Sequence, residues 1–202
     1  EIIKESDFSN EKRLYEIIAE TKSQLQMYLM GAGHAAAYTR AGSYVRSYLK
    51  YQDETDGIGQ YWFIEELEKD FQNRKVEVIE TLKTLMTYIF RKENLIISYT
   101  GNNDIYKEYL TNLINDLYTN EIHLERFKFE PNILNEGFKT PSQVQYVARF
   151  GHFDNAGSYT GAFLVFGMAL RYDYLWTQVR VLGGAYGCMT QKKKKKDIYY
   201  VS

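Results

Sequence analysis

The sequence predicts an α+β protein in which helices dominate and strands are few. Through the first 90 residues, apolar side chains recur at spacings of three and four, as in amphipathic helices. The period then changes, because Asn94–Thr100 is a short β-branched run and Ser142–Phe150 alternates apolar with polar residues. Helices followed by a strand and a further helix are typical of an α+β unit rather than a helical bundle.

The composition excludes several classes of protein. The chain has 202 residues, enough for one ordinary domain or parts of two, and a hydrophobic fraction of 45% allows a sizeable core. The formal net charge of -1 gives no bias toward nucleic acid or an acidic membrane, so we expect neither as a partner. The single cysteine, Cys188, excludes an intramolecular disulfide and fits a reducing compartment. We also expect no membrane-spanning segment and no secretory signal, because no apolar run is suited to either.

Four helices are predicted in the first 90 residues. Ser9 is the expected N-cap of the first helix, with Glu11 in its first turn. Small residues, including Gly42, suit the second helix to close packing against a neighbour. The polar, glycine-bearing stretch Gln52–Gly59 predicts a loop before the third helix. The four helices run from Ser9 to about Met30, from about His34 to Leu49, from about Gln60 to Phe71 and from about Lys75 to Phe90.

The middle of the chain contains the predicted domain boundary. Asn94–Thr100 is expected to form a strand, and Asn103 is expected to cap the helix that follows. The only two prolines, Pro131 and Pro141, fall close together and indicate a linker. The predicted division is a domain at 1–135, a linker at 136–141 and a second domain at 142–202.

The segment after the linker has the pattern of a second α+β domain at its beginning. Its first strand is expected to turn alternate apolar residues inward. Lys192–Lys196 predicts a solvated hairpin between two strands. Because these elements do not complete a sheet, we expect the chain to be a piece of a longer protein. The predicted elements are a strand at Ser142–Phe150, helices from Gly157 to Leu170 and from Tyr172 onward, and a strand from Asp197 to Val201.

The most informative stretch is a helix that ends at two glycines. It is expected to stop at Gly183 and Gly184, where glycine adopts left-handed backbone geometry without cost. Arg180 lies in the last turn, where a cation suits the negative end of the helix dipole. Tyr186 follows the break, so two hydrogen-bond donors, a guanidinium and a phenol, are held six residues apart. Spacing alone favours a simpler interpretation, a capped helix followed by a core tyrosine.

Three segments resemble the presequence protease branch of the pitrilysin/insulinase zinc metallopeptidases. Leu175–Gly187 matches every fixed position of the branch pattern Leu-Trp-x-x-Val-Arg-Val-x-Gly-Gly-Ala-Tyr-Gly. Gly31–Ala37 and Thr140–Val147 are similar to the same branch in content and order. The resemblance covers the chain from about residue 20 to its end.

The resemblance implies a fold, a reaction and a role for the glycine-containing stretch. Family members have four homologous α+β domains, each with helices on one face of an antiparallel sheet. The part before the linker would be the later part of the third domain, and the part after it the beginning of the fourth. The family consists of zinc endopeptidases that degrade unfolded peptides in a closed chamber. Arg180 and Tyr186 would be the catalytic and substrate-binding pair, and Gly183 and Gly184 would let their loop approach the peptide.

The same resemblance implies a zinc ion, two partners and a compartment. The zinc would be bound by the N-terminal half of the same polypeptide, because the His-x-x-Glu-His helix of the family is absent from this chain. That N-terminal half and an unfolded peptide substrate would be the partners. The expected location is the cytoplasm of a bacterium or the matrix of an organelle. Without the N-terminal half, this chain is expected to have no peptidase activity.

The residues themselves predict no metal site. The three histidines, His34, His123 and His152, have no second histidine at helical ligand spacing. Glu121, His123 and Glu125 would share one face of a strand, but a solvated charged strand is the simpler interpretation. We interpret His34 as a packing or capping residue.

Two other functions stay open from the sequence. One is a non-catalytic scaffolding homologue of the same fold, against which the intact Arg180 and Tyr186 argue. The other is a helical protein-interaction module with a basic segment at Lys192–Lys196, against which the detailed match of the glycine-containing stretch argues. Cys188 could be a reactive thiol, but an inert small apolar residue is the simpler interpretation.

Overall fold

The fold is described from a computed structural model that covers residues 6–101, 106–119, 121–122, 125–141, 143–152, 160–193 and 197–201. These residues divide into two compact units. The first lies within Glu1–Ile17 and Leu67–Phe127, and the second lies within Ile18–Glu66 and Lys128–Ser202. The second unit therefore joins residues from both sides of the predicted linker. The assignment of 1–135 and 142–202 to successive domains of a longer protein stays a prediction.

The first half of the chain is helical, as predicted, but it has five helices where the sequence indicated four. The predicted second helix is two helices, and the predicted loop at Gln52–Gly59 is wrong, because helix continues to Asp56. The polar run suggested a loop because its ionic partner lies on another helix and cannot be recognised locally. The helices are α1 (Glu11–Gly31), α2 (Gly33–Ser43), α3 (Ser47–Asp56), α4 (Ile58–Lys69) and α5 (Phe71–Ile89).

Helix α1 is capped by Asn10 rather than by the predicted Ser9. The Asn10 side-chain oxygen accepts a hydrogen bond from the Arg13 N–H at 3.0 Å, which satisfies a donor at the start of the helix. Ser9 instead donates its N–H and its hydroxyl to the Asp7 carboxylate, each at 2.8 Å. These hydrogen bonds lower the pKa of Asp7, the side-chain bond more than the backbone bond.

The first unit contains the clearest error of the sequence analysis. The strand predicted at Asn94–Thr100 is absent from the described residues, and a short 3₁₀ turn at Lys92–Asn94 occupies its start. The Asn94 side chain donates to the Tyr88 and Ile89 carbonyl oxygens at 2.8 and 3.1 Å. Asn94 therefore closes the C-terminal end of α5, and the apolar run after it has no strand with which to pair in the described part of the chain. Helix α6 follows at Tyr106–Asn115, and its predicted cap, Asn103, lies outside the described residues.

The second unit contains a three-stranded antiparallel sheet. Its strands are β1 (Ala148–His152), β2 (Met189–Lys193) and β3 (Asp197–Val201), in the order β1-β3-β2. Strand β1 pairs Ala148 with Val201 and His152 with Asp197, and β2 pairs Met189 with Val201. The predicted last strand is confirmed, whereas β1 is shorter than the predicted Ser142–Phe150. The α+β mixture is therefore present, with helices more abundant than strands.

Helix α2 packs against β1 because Gly42 leaves room for it. A Cβ atom on Gly42 would lie 3.2 Å from the Phe150 ring and would collide with Leu49. The Phe150 ring also lies 5.8 Å from the Tyr38 ring, measured between centroids. Phe150 thus faces α2, as the alternation predicted, and the neighbouring Arg149 is exposed. The expected close packing at Gly42 is confirmed.

The predicted linker is held by an ion cluster, which we call the Arg40 cluster and define as Arg40, Asp53 and Glu136. Arg40 Nη1 donates to Asp53 at 2.7 Å, and Nε and Nη2 donate to the two Glu136 oxygens at 2.8 and 3.0 Å. The Asp53 side chain is completely buried, and the Arg40 side chain is 11% exposed. The Trp62 ring lies 4.8 Å from the guanidinium and 5.9 Å from the Phe138 ring. The segment near residue 136 is therefore packed against the helices.

Burial alone lowers the pKa of Arg40, since it disfavours the charged form. The hydrogen bonds to Glu136 and Asp53 outweigh that cost, and the pKa of Arg40 is raised from its ordinary value. The Arg40 cluster therefore stays positively charged at its centre at any physiological pH. Among the described residues, no helix is both long and apolar enough to cross a membrane.

Candidate functional site

The helix that leads to the site is longer than predicted. The sequence indicated two helices, but α7 (Ala162–Ala169) continues without a break into a π-helical segment at Leu170–Leu182. We call this second part the π segment. Hydrogen bonds in a π-helix join residues five apart, so the predicted apolar stripe does not form one buried face. Tyr172 and Trp176 are 58% and 42% exposed, whereas Leu175 and Val179 are half-buried.

The helix ends where the sequence predicted, at Gly183 and Gly184. The Gly184 N–H donates to the Arg180 carbonyl oxygen and the Ala185 N–H donates to the Val179 carbonyl oxygen, both at 3.1 Å. Nested bonds of this kind satisfy the last carbonyl groups of a helix, as in the Schellman motif. Gly184 has a φ of 72°, which confirms the predicted left-handed exit.

The two glycines are needed for different reasons. A Cβ atom on Gly183 would lie 2.6 Å from the Val179 carbonyl oxygen, so a side chain there would force the backbone to move. Gly184 has open space around it, but its positive φ is a conformation that L-residues rarely adopt. Together they turn the chain sharply out of the helix directly after Arg180.

Arg180 lies against the ring of Trp176, four residues earlier. The guanidinium carbon is 4.1 Å from the ring centroid, the shortest of the cation–π distances found among the described residues. Arg180 is exposed, and no carboxylate in the described part of the chain lies within salt-bridge distance of it. Its N–H groups point outward in the plane of the guanidinium and can donate to a ligand. Trp176, which the sequence analysis placed in the apolar stripe, was missed as a partner of Arg180.

Tyr186 lies just beyond the exit and is 95% exposed. The simpler interpretation from spacing, a core tyrosine, is therefore wrong, although the capped helix is confirmed. Ala185 and Gly187 on either side are half-buried, and Cys188 is buried with 6% exposure. The backbone at the site is thus anchored while the phenol extends into solvent. No hydrogen bond in the described part of the chain joins Arg180 to Tyr186.

The described residues do not fit a zinc ion. Within those residues there is no group of three His, Cys, Asp or Glu side chains that could hold a metal. Glu121 and Glu125 belong to no strand, and His123 lies outside the described residues. The His34 ring lies 6.1 Å from the Tyr146 ring, which is a packing contact, as the sequence suggested.

The remaining candidates from the sequence carry no visible chemistry in the described part of the chain. Cys188 is buried next to β2, which agrees with a small apolar residue. Lys192 and Lys193 belong to β2, whose partner β3 follows as the second strand of a hairpin. The other three lysines of the run, residues 194–196, lie outside the described residues.

Two of the segments that carry the family resemblance meet in the structure. A Cβ atom on Gly33 would collide with the Tyr146 ring, so this glycine lets the ring lie directly on the start of α2. Gly33 belongs to the first of the three segments and Tyr146 to the second. The third segment forms the π segment and the exit.

Comparison with known proteins agrees with these segments. Residues 1–67 match a family model described as peptidase-associated, and residues 135–202 match the PreP C-terminal domain. Among curated proteins, Protein HypA of Clostridium perfringens is 34% identical over the whole chain, which covers 21% of that relative. Presequence protease 1, chloroplastic/mitochondrial, of Arabidopsis thaliana is 22% identical over 92% of the chain and 18% of its own length. The mitochondrial presequence protease of Yarrowia lipolytica is 26% identical over 93% of the chain and 20% of its own length.

These matches extend over both sides of the predicted linker and include the arginine-to-tyrosine exit. The chain spans about a fifth of the length of the curated relatives it matches. It belongs to the presequence protease-like branch of the pitrilysin/insulinase peptidase family.

Proposed function

We propose that this chain is the C-terminal-half segment of a zinc-dependent endopeptidase that degrades unfolded peptides in a closed chamber, and that Arg180 and Tyr186 bind the peptide. The observation that carries the proposal is the geometry of the exit. An arginine with no carboxylate partner in the described part of the chain is followed, across a glycine-dependent turn, by a tyrosine that is 95% exposed. Side chains that extend into solvent from an anchored backbone are suited to binding a ligand.

Arg180 is proposed to hold the peptide backbone. Its guanidinium is always charged and presents several N–H groups in one plane, which match the carbonyl oxygens of an extended peptide. Fixing the peptide in one register places the bond to be cut at the reacting centre, and such positioning is a large part of catalysis. The turn made possible by Gly183 and Gly184 brings this end of the helix within reach of another chain.

Tyr186 is proposed to stabilise charge during the reaction. Attack on an amide carbonyl builds negative charge on its oxygen, and a phenol hydroxyl can donate a hydrogen bond to that oxygen. One such donor contributes about 3 kcal/mol in enzymes that stabilise an oxyanion. The high exposure of Tyr186 supports the proposal, since the hydroxyl is available to a substrate.

The rest of the machinery is proposed to lie in the N-terminal half of the same polypeptide. The resemblance implies that this half binds the zinc ion, and the described residues of this chain are not suited to doing so. An unfolded peptide and the N-terminal half are therefore the proposed partners. The names of two relatives include mitochondrial or chloroplastic, and we propose an organelle matrix or, for a bacterial protein, the cytoplasm.

The test is Tyr186→Phe in a parent protein of the relatives' length, assayed on an unstructured peptide. We expect turnover to fall about 100- to 1000-fold, because the variant loses one donor to the oxyanion and keeps the ring. Tyr174→Phe is the matched control, because Tyr174 is also exposed and lies on the same helix. We expect the control to keep full turnover.

Unchanged turnover in the Tyr186 variant would remove this residue from the mechanism. If Arg180→Ala also had no effect, the non-catalytic scaffolding homologue would become the better proposal. Detectable cleavage by the 202-residue chain alone would contradict the expectation that it needs the N-terminal half.

A further inference from the structure

We propose that Trp176 is a positioning residue for Arg180, holding the guanidinium in place without using any of its hydrogen-bond donors. The geometry of this pair stands on its own, whereas its effect on peptide binding depends on the function proposed above. The inference begins with the distance of 4.1 Å between the Arg180 guanidinium carbon and the Trp176 ring centroid. At that distance the cation is in contact with the ring face.

The contact restrains Arg180 through the one part of the guanidinium that makes no hydrogen bonds. The five N–H groups lie in the guanidinium plane, whereas a stacked ring covers a face of that plane. A carboxylate partner would instead occupy the N–H groups. Arg40 shows this alternative within the same unit, since Nε, Nη1 and Nη2 all donate to carboxylates.

The positions of the two residues in the π segment explain why they meet. They are four residues apart on the same helix, close to one turn, and both side chains extend into solvent. The exit at Gly183 closely follows Arg180, so no further turn of helix covers the guanidinium. The pair is therefore presented at the open end of the helix, next to the segment that carries Tyr186.

Holding the guanidinium in advance affects a binding step in a specific way. A long, exposed arginine loses side-chain freedom when it binds a ligand, and a side chain that is already restrained loses less. Trp176 is therefore expected to strengthen peptide binding while leaving the chemical step unchanged. In kinetic terms, its loss should raise KM and leave kcat near its original value.

The first experiment measures the contact itself in the 202-residue chain. Protons of Arg180 that lie over an indole face resonate upfield because of the ring current, and Arg180→Lys identifies their signals. We expect this upfield shift to disappear in Trp176→Leu and to persist, at reduced size, in Trp176→Phe. Tyr174→Leu removes an exposed aromatic residue from the same helix and should leave the Arg180 signals unchanged.

The second experiment measures peptide turnover in a parent protein of the relatives' length. We expect Trp176→Leu to raise KM about two- to fivefold, the effect of losing one exposed cation–π contact. Trp176→Phe should restore most of the loss, which a purely structural role for the indole would not predict. It also keeps the test valid if the leucine variant folds poorly.

The outcomes separate this inference from the proposed function. Absence of the upfield shift in the original chain would overturn the positioning role, whatever the activity. A shift that depends on Trp176, together with turnover that is insensitive to Arg180→Ala, would support the contact and refute the proposed function. A fall in kcat with unchanged KM in Trp176→Leu would also overturn the positioning role.

Discussion

Arg40 and Arg180 each lie against a tryptophan ring, but their surroundings are opposite. Arg40 is 11% exposed and donates to two carboxylates as well as stacking on Trp62. Arg180 is exposed, stacks on Trp176, and has no carboxylate at salt-bridge distance in the described part of the chain. A stacked arginine whose donors are all used stabilises the fold, whereas one whose donors remain available is suited to a ligand.

Replacing Arg40 should have the largest effect on stability. In Arg40→Ala the completely buried Asp53 loses its cation, and we expect the free energy of unfolding to fall by about 3 kcal/mol. Chemical denaturation of the 202-residue chain would measure the loss. A loss below about 1 kcal/mol would mean that the Arg40 cluster is not a structural centre, and would remove the contrast with Arg180.

The same cluster also predicts how stability depends on pH. The pKa of Arg40 is raised in the folded chain, so its contribution is fully present below the unfolded pKa and is lost only as the pH rises through the folded pKa. That window is strongly alkaline. The difference in stability between the original chain and Arg40→Ala should therefore stay constant from about pH 6 to pH 10.

Replacing Gly184 should have an intermediate effect that appears at the exit. Gly184→Ala places a side chain at a φ of 72°, and we expect a loss of about 1 to 2 kcal/mol. Gly187→Ala is the matched control, because a Cβ atom there meets nothing within 4 Å and its φ is not positive. Denaturation curves of the two variants would test this, and equal stabilities would show that the left-handed exit is not required.

Replacing Arg180 should have the smallest effect on stability. Arg180→Ala removes an exposed side chain, and we expect the free energy of unfolding to change by no more than about 0.5 kcal/mol. The same substitution should strongly weaken peptide turnover in a parent protein if the proposed function is right. A large loss of stability would show that Arg180, like Arg40, serves the fold, and the comparison would fail.

Sequence reasoning succeeded where the structure depends on local chemistry. The end of the long helix at Gly183 and Gly184 follows from the backbone preferences of glycine alone, and it was predicted to the residue. The amphipathic spacing of α1 and α5 likewise located both helices to within a few residues. These features need no knowledge of what lies opposite them.

The sequence analysis failed where the answer lay in a distant partner. Asp53 was placed in a loop because its ionic partner, Arg40, is on another helix. Asn94 was placed in a strand because β-branched neighbours follow it, although its side chain closes the end of α5. In the site, Arg180 and Tyr186 were identified by the family pattern, while the role of Trp176 required the distance between the two side chains.

The bond between Arg40 and Glu136 also constrains the order of folding. The two residues are 96 positions apart, and residues 67–127 of the first unit lie between them in the chain. At ordinary rates of protein synthesis, roughly 5 to 20 s separate the translation of Arg40 from that of Glu136. During that interval α2 and α3 have already been made, but the strap that ties them to the later strands has not. Helices α2 and α3 must therefore survive on local contacts, or be protected, until the ribosome has delivered the rest of their own unit.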